Sequence, residues 1–121
     1  MADSEFNQKW ESQLKKGVLI SLVLVLLRKK EMYGYEIMQT LQEHFNLEVA
    51  EGTIYPMMNR IKKDNLVTSY WHEKENETRR RYFKLTEEGY KRQEEMRLFI
   101  NHLIRSYNRL VDEIDQHPEM K

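Results

Sequence analysis

Cysteine is absent from the 121 residues, which excludes a disulfide framework, a thiolate zinc site and a thiol nucleophile. The absence fits a reducing cytoplasm, the expected location. Net charge is absent as well, because 20 Lys and Arg balance 20 Asp and Glu, so bulk charge says nothing about nucleic acid. There are no internal repeats and no low-complexity tracts. The strongly apolar stretch Gly17–Leu27, interrupted only by Gly17 and Ser21, falls short of the about 20 residues that a bilayer span needs. Acidic residues precede it and no small-residue cleavage site follows, so it does not read as a signal peptide. It reads as a doubly buried core helix, and no membrane partner is expected. His44, His72, His102 and His117 are scattered without the spacing of zinc ligands. Glu94, Glu95 and the other carboxylates have no His or Ser grouping beside them for acid–base work. No metal, no cofactor and no enzymatic activity are therefore expected.

What is present is the balance of a globular chain, 40% apolar and 33% charged, of a size for one domain with a modest core. Its charge is unevenly spread. Residues 53–84 carry Arg60, Lys62, Lys63, Lys74, Arg79, Arg80, Arg81 and Lys84 against Asp64, Glu73, Glu75 and Glu77, a net of +4, and each flank sums to −2. The middle of the chain is the part suited to phosphate.

The periodicity predicts a first helix from about Phe6 to Arg28, closed by the basic turn Arg28-Lys29-Lys30. Gly17 and Ser21 share one face of it and permit close approach. Residues 1–5 are expected to fray. After Tyr33-Gly34-Tyr35 a second helix should run to about His44, with Ile37, Met38 and Leu41 inward. A third should span Glu51 to Asp64, burying Ile54, Met57, Met58 and Ile61, with Asn65 as a left-handed stop. Pro56 falls in its first turns, where a missing N–H costs little. The β-rich runs Leu66–His72 and Arg79–Leu85 flank polar Glu73–Thr78 and predict a hairpin. Thr86 offers an N-cap to a long helix ending near Asp115, with Pro118 beyond it. In that helix Met96, Ile100, Leu103, Tyr107, Leu110 and Ile114 step by 4, 3, 4, 3, 4, the seam of a helix that packs along another. Phe99, Ile104 and Val111 widen the stripe. Tyr33 and Tyr35 are expected to pack in the core and at the helix entry, and Trp71 to anchor the hairpin.

Three helices, a basic hairpin and a long helix make a mainly α fold with a small β-wing, in the winged helix-turn-helix arrangement with one C-terminal dimerisation helix. The expected division is a DNA-binding domain over 1–85, the dimerisation helix over 86–116 and a tail over 117–121. Met32-Tyr33-Gly34-Tyr35-Glu36-Ile37, Glu51-Gly52-Thr53-Ile54-Tyr55-Pro56 with Arg60-Ile61, and Arg79 through Gly89 occur in this order and spacing. Together they resemble the PadR family of transcriptional regulators over roughly residues 14–90. The single short C-terminal helix is similar to the small-subunit branch, which includes multidrug-sensing repressors. Two positions depart from the family pattern. Ala50 stands where a small hydroxyl residue usually caps the third helix, and the tryptophan that some drug-binding members carry in the last helix is missing, since the two tryptophans are Trp10 and Trp71.

Thr53, Tyr55, Pro56, Asn59, Arg60, Lys62 and Lys63 form the polar face of the third helix, which would enter the major groove. Thr53 and Tyr55 can donate to phosphate, Asn59 can read adenine, and Arg60 can reach phosphate or guanine. Arg79, Arg80 and Arg81 suit phosphate or a narrow minor groove, although a charged edge strand can also be purely solubilising. The expected partners are double-stranded DNA with an inverted-repeat operator and a second copy of the chain. The resemblance further implies a small hydrophobic or phenolic effector, in a cavity between Leu14, Gly17, Val18 and Ser21 of one subunit and Phe99, Ile100 and Leu103 of the other. Gly17 and Ser21 could equally bring those helices into contact and leave no room. The leading reading is a repressor released by its effector; the rival is a winged-helix protein-interaction module without DNA binding.

Overall fold

The computed structural model describes residues 4–73, 75–117 and 119; Lys74, counted among the basic residues, and Pro118, the expected helix end marker, lie outside them. The element order is α1 (Glu5–Gly17), α2 (Leu19–Lys29), β1 (Met32–Tyr33), α3 (Gly34–Phe45), α4 (Glu51–Lys63), β2 (Val67–His72), β3 (Arg80–Leu85) and α5 (Glu87–Gln116). No helix among the described residues is long and apolar enough to cross a membrane.

The single helix expected over Phe6–Arg28 is two. It breaks at Val18, whose backbone N–H turns to the carbonyls of Leu14 and Lys15. The break separates two kinds of surface. α2 buries Leu19, Ser21, Val23, Leu24, Leu26 and Leu27, whereas α1 buries nothing. Phe6, Trp10 and Leu14, spaced four apart, instead form an exposed apolar stripe along α1. α1 is tied back by Lys15, which donates to the Asn46 carbonyl at 3.2 Å.

The core gathers α2, Ile37 and Leu41 of α3, Ile54, Met58 and Ile61 of α4, and Phe83 of β3. Met57 is only partly buried against it. Side chains truncated there would lose both burial and packing, about 2–5 kcal/mol for a Leu or Ile. The helix ends follow local chemistry. Asn46 and Asn65 take left-handed φ of 50° and 63° after α3 and α4. Asn65 was the expected stop, and Leu66 beyond it donates back to Ile61. α4 begins without a side-chain cap, as Ala50 requires; the Ala50 carbonyl accepts from Thr53 and Ile54 instead. Thr86 caps α5 through a 2.9 Å bond from the Gly89 N–H.

The sheet has three antiparallel strands in the order β1-β3-β2 rather than a two-stranded hairpin. The unforeseen β1 pairs Met32 with Phe83 and Tyr33 with Tyr82. The β2–β3 register runs from Val67 opposite Leu85 to His72 opposite Arg80. The start of α5 is buried, Gly89 against Leu66 and Leu85 and Gln93 against Arg28 of α2. From there it projects with Phe99, Leu103, Tyr107 and Leu110 exposed.

Candidate nucleic-acid interface and adjoining cleft

α3, the connection 46–50 and α4 form the helix-turn-helix, and the α4 stripe Ile54, Met58, Ile61 faces the core. The helical period therefore puts Pro56, Asn59 and Lys63 at the middle of the exposed face. Thr53 and Tyr55 fall on opposite flanks. Tyr55 lies so close to Gly34 that a Cβ there would meet its hydroxyl at 2.5 Å; its ring braces α4 against the start of α3 while remaining partly exposed. Thr53 lies on the side that faces α2 and α5. Arg60, Lys62 and Lys63 are exposed.

The three arginines at the wing have separate settings. Arg79 precedes the strand and stacks over Trp71, 5.0 Å from guanidinium carbon to ring centre. Trp71 is itself 57% exposed, so it is a surface platform for Arg79 and not the core anchor expected. Arg80 and Arg81 alternate across the sheet, as strand geometry demands. Arg80 lies over Tyr33 at 4.4 Å. Tyr33 in turn meets Tyr82 edge-on, and Tyr82 stacks with Tyr70. The Tyr70 hydroxyl donates to Glu31, which pushes its pKa up to about 12. Arg81 faces the other way. Its Nε donates to Ser69 Oγ at 3.1 Å and its Nη1 to Asn59 Oδ1 at 3.0 Å, with the guanidinium 5.0 Å above the buried Phe83 ring. Tyr35 is 53% exposed and is not the packing residue expected.

Among the described residues, no carboxylate lies within 4.0 Å of the cationic atoms of Arg60, Lys62, Lys63, Arg79, Arg80 or Arg81. Arg28, Arg92 and Arg97 are held by glutamates, but Lys9, Lys15, Lys16, Lys29, Lys91, Arg105 and Arg109 also have no such pair among the described residues, so what sets the six apart is their shared place on α4 and the wing. The aromatic platform Tyr33, Tyr70 and Tyr82 was not read from the sequence as part of this surface. The period-2 alternation of Arg80 and Tyr82 is the signal that places the latter beside the arginine.

Beside this surface, a cleft of about 680 Å³ opens between the start of α2, α4 and α5. It brings together Gly17, Val18, Ser21, Phe99, Ile100 and Leu103, but not Leu14, which sits on the exposed stripe of α1. The cleft is formed within one chain, where the expectation placed it between subunits. Thr53 and Met57 also line it and were not foreseen there. Within the single chain, Gly17 has no neighbour within 4 Å of a would-be Cβ, so it leaves room there. Met96 and Ile100 are half-buried near the body, and the seam continues outward through exposed Leu103, Tyr107 and Leu110 to half-buried Ile114.

The transcriptional regulator PadR-like family model matches residues 23–95. A PadR-like transcription factor structure from Bacteroides fragilis is 34% identical and superposes with a TM-score of 0.70, covering 84% of this chain and 98% of that one. A PadR family regulator from Eggerthella lenta is 29% identical with a TM-score of 0.74, over 82% and 86% of the two chains. A PadR-like regulator from Bacillus cereus is 30% identical with a TM-score of 0.73, over 82% and 96%.

Proposed function

The chain belongs to the transcriptional regulator PadR-like family, a DNA-binding regulator and not an enzyme, and from that premise we propose that it is a repressor acting as a homodimer on an inverted-repeat operator. The exposed face of α4 enters the major groove and the wing contacts the backbone beside it. The observation that carries this reading is the gathering of five cations, Arg60, Lys62, Lys63, Arg79 and Arg80, on α4 and the wing, with no carboxylate within 4.0 Å of any of them among the described residues. Such groups release condensed counterions when they meet phosphate.

Two copies pair through α5, from Met96 through Ile100, Leu103, Tyr107 and Leu110 to Ile114, with the α1 stripe of Phe6, Trp10 and Leu14 adding apolar surface. Large apolar side chains at this density are costly to leave in water. The cleft receives a small apolar or phenolic effector. Its volume of about 680 Å³ suits such a ligand, and its walls include α4 itself through Thr53 and Met57. A ligand that prefers one placement of α4 and α5 weakens DNA binding by that preference. Site of action is the cytoplasm, where the DNA is.

The test is duplex DNA binding followed by fluorescence anisotropy over a range of salt. Lys63→Ala and Arg79→Ala are each expected to weaken binding to all sequences and to lower the salt slope by about 1. Half-sites should be centred roughly 34 Å apart, or a multiple of it. Unchanged affinity and slope in the double variant would remove these side chains from the interface.

A further inference from the structure

We infer that Arg81 is a positioning residue for base reading, which fixes the side-chain amide of Asn59 so that its NH2 group faces the DNA. The inference rests on the proposed entry of α4 into the major groove. A guanidinium has donors only, so the Asn59 atom that meets Arg81 Nη1 at 3.0 Å must be the carbonyl oxygen. With the oxygen turned toward the wing, the amide nitrogen is directed away from Arg81.

Arg81 is suited to that task because it is itself fixed. Ser69 Oγ accepts from Nε at 3.1 Å, and the fully buried Phe83 ring lies beneath the guanidinium. Arg81 is half-buried, whereas Arg79 is exposed on Trp71. The wing and α4, separated by 22 residues at this contact, thus meet through one side-chain bond at the middle of the exposed face. A free asparagine samples several rotamers and either amide orientation; this one is held in one of them. Its NH2 matches a base edge that offers an acceptor in the major groove, the N7 of a purine foremost. Reading a base and placing the wing are thereby coupled.

The experiment is selection from a randomised duplex pool with the full chain as wild type, Asn59→Ala, Arg81→Ala, Arg81→Lys and the Asn59→Ala/Arg81→Ala pair. Salt slopes on the selected site and thermal melts accompany each. Asn59→Ala and Arg81→Ala should lower the preference at one and the same base pair by roughly five- to tenfold. The pair should be no worse at that base pair than either alone. Arg81→Lys keeps the charge but loses the rigid fork, so it should lose the preference while keeping the salt slope. If Arg81→Ala lowers affinity for all sequences and reduces the slope by about 1 with the preference intact, Arg81 is a phosphate contact and the inference is wrong. If Asn59→Ala shifts a preference and Arg81→Ala does not, the inference also fails, yet groove reading by α4 stands. A folded wild type that selects no sequence overturns both.

Discussion

The Arg28 guanidinium of α2 donates to the side-chain oxygen of Gln93 on α5 at 2.8 Å. Gln93 is 2% exposed, and this bond supplies the partner that its buried oxygen requires. The same guanidinium donates to Glu94 at 2.9 Å and to the Tyr90 hydroxyl at 3.0 Å, and lies 4.3 Å from the centre of the Tyr90 ring. One arginine therefore joins the winged body to the root of the long helix.

Arg28→Ala should destabilise the chain by about 1–3 kcal/mol, because it strands the Gln93 oxygen. The partly exposed ion pair with Glu94 adds little. Urea denaturation measures the loss. A value within the roughly 0.5 kcal/mol of an ordinary surface change would show that the joint contributes no stability.

Gly89→Ala should cost about 1–3 kcal/mol by overpacking. An added methyl would run into the Leu66 carbonyl and the Leu85 side chain, forcing the first turn of α5 away from the start of β2 and the end of β3. Gly17→Ala is the control, since a Cβ there meets nothing within 4 Å. Equal melting of the two variants would contradict this.

Leu103→Glu should yield a folded monomer by sedimentation. Leu103 is 58% exposed in the single chain, so the change harms the proposed dimer and not the core. Helical content by circular dichroism should persist in part. A stable wild-type monomer at micromolar concentration would refute the seam.

Gly17→Leu should fill the cleft and abolish the response to effector while sparing DNA binding. A panel of phenolic acids and hydrophobic cations is the probe. In the wild type, the active compounds should weaken operator binding roughly 5–150-fold. A Gly17→Leu protein that responds as the wild type does would place the effector elsewhere.

Acid should weaken the root of α5. Hydrogen bonds from Arg97 hold the Glu94 carboxyl below the usual range; desolvation, next in size, opposes them, and the charges of Arg97 and Arg28 and the Arg28 hydrogen bond add to the lowering. A carboxylate with a lowered folded pKa gives stability that is present above the unfolded pKa and lost as pH falls through the folded value. The urea midpoints of wild type and Glu94→Gln should therefore differ at neutral pH and converge in acid. On the wing the sign reverses. Tyr70, raised from 10.0 to about 12 by its bond to Glu31, gives stability that is complete below the lower value and lost as pH rises through the upper. Tyrosinate absorbance of wild type minus Tyr70→Phe should place that ionisation near the upper value.

The parts of the fold legible in the sequence are those set by local chemistry. Thr86 caps α5, Asn65 ends α4, and the Ile54, Met58, Ile61 stripe faces inward. What was missed depends on distant partners. β1 is two residues long and exists because Phe83 and Tyr82 lie beside it. The break at Val18 interrupts a run whose helical period continues across it; the difference lies in what α2 packs against and α1 does not. The exposure of Trp71 follows from its place near the hairpin tip, opposite Arg81. Six of the seven proposed cleft residues line one cleft, at the junction of α1 and α2 and along α5; it was the family resemblance, not their spacing, that pointed to them. Thr53 and Met57 were missed because how α4 leans on those helices is a tertiary fact.

The length of α5 gives its short root a mechanical consequence. Its 30 residues extend about 45 Å, about 35 Å of it beyond Gln93, so a tilt of about five degrees at Arg28 and Gln93 carries the far end through about 3 Å. The helix is a lever with its fulcrum on α2, beside the cleft. In the proposed dimer, a displacement too small to disturb the core would be multiplied along that arm into the distance between two reading heads. The gauge of the pair is thus set by a few side chains at one end of a rod.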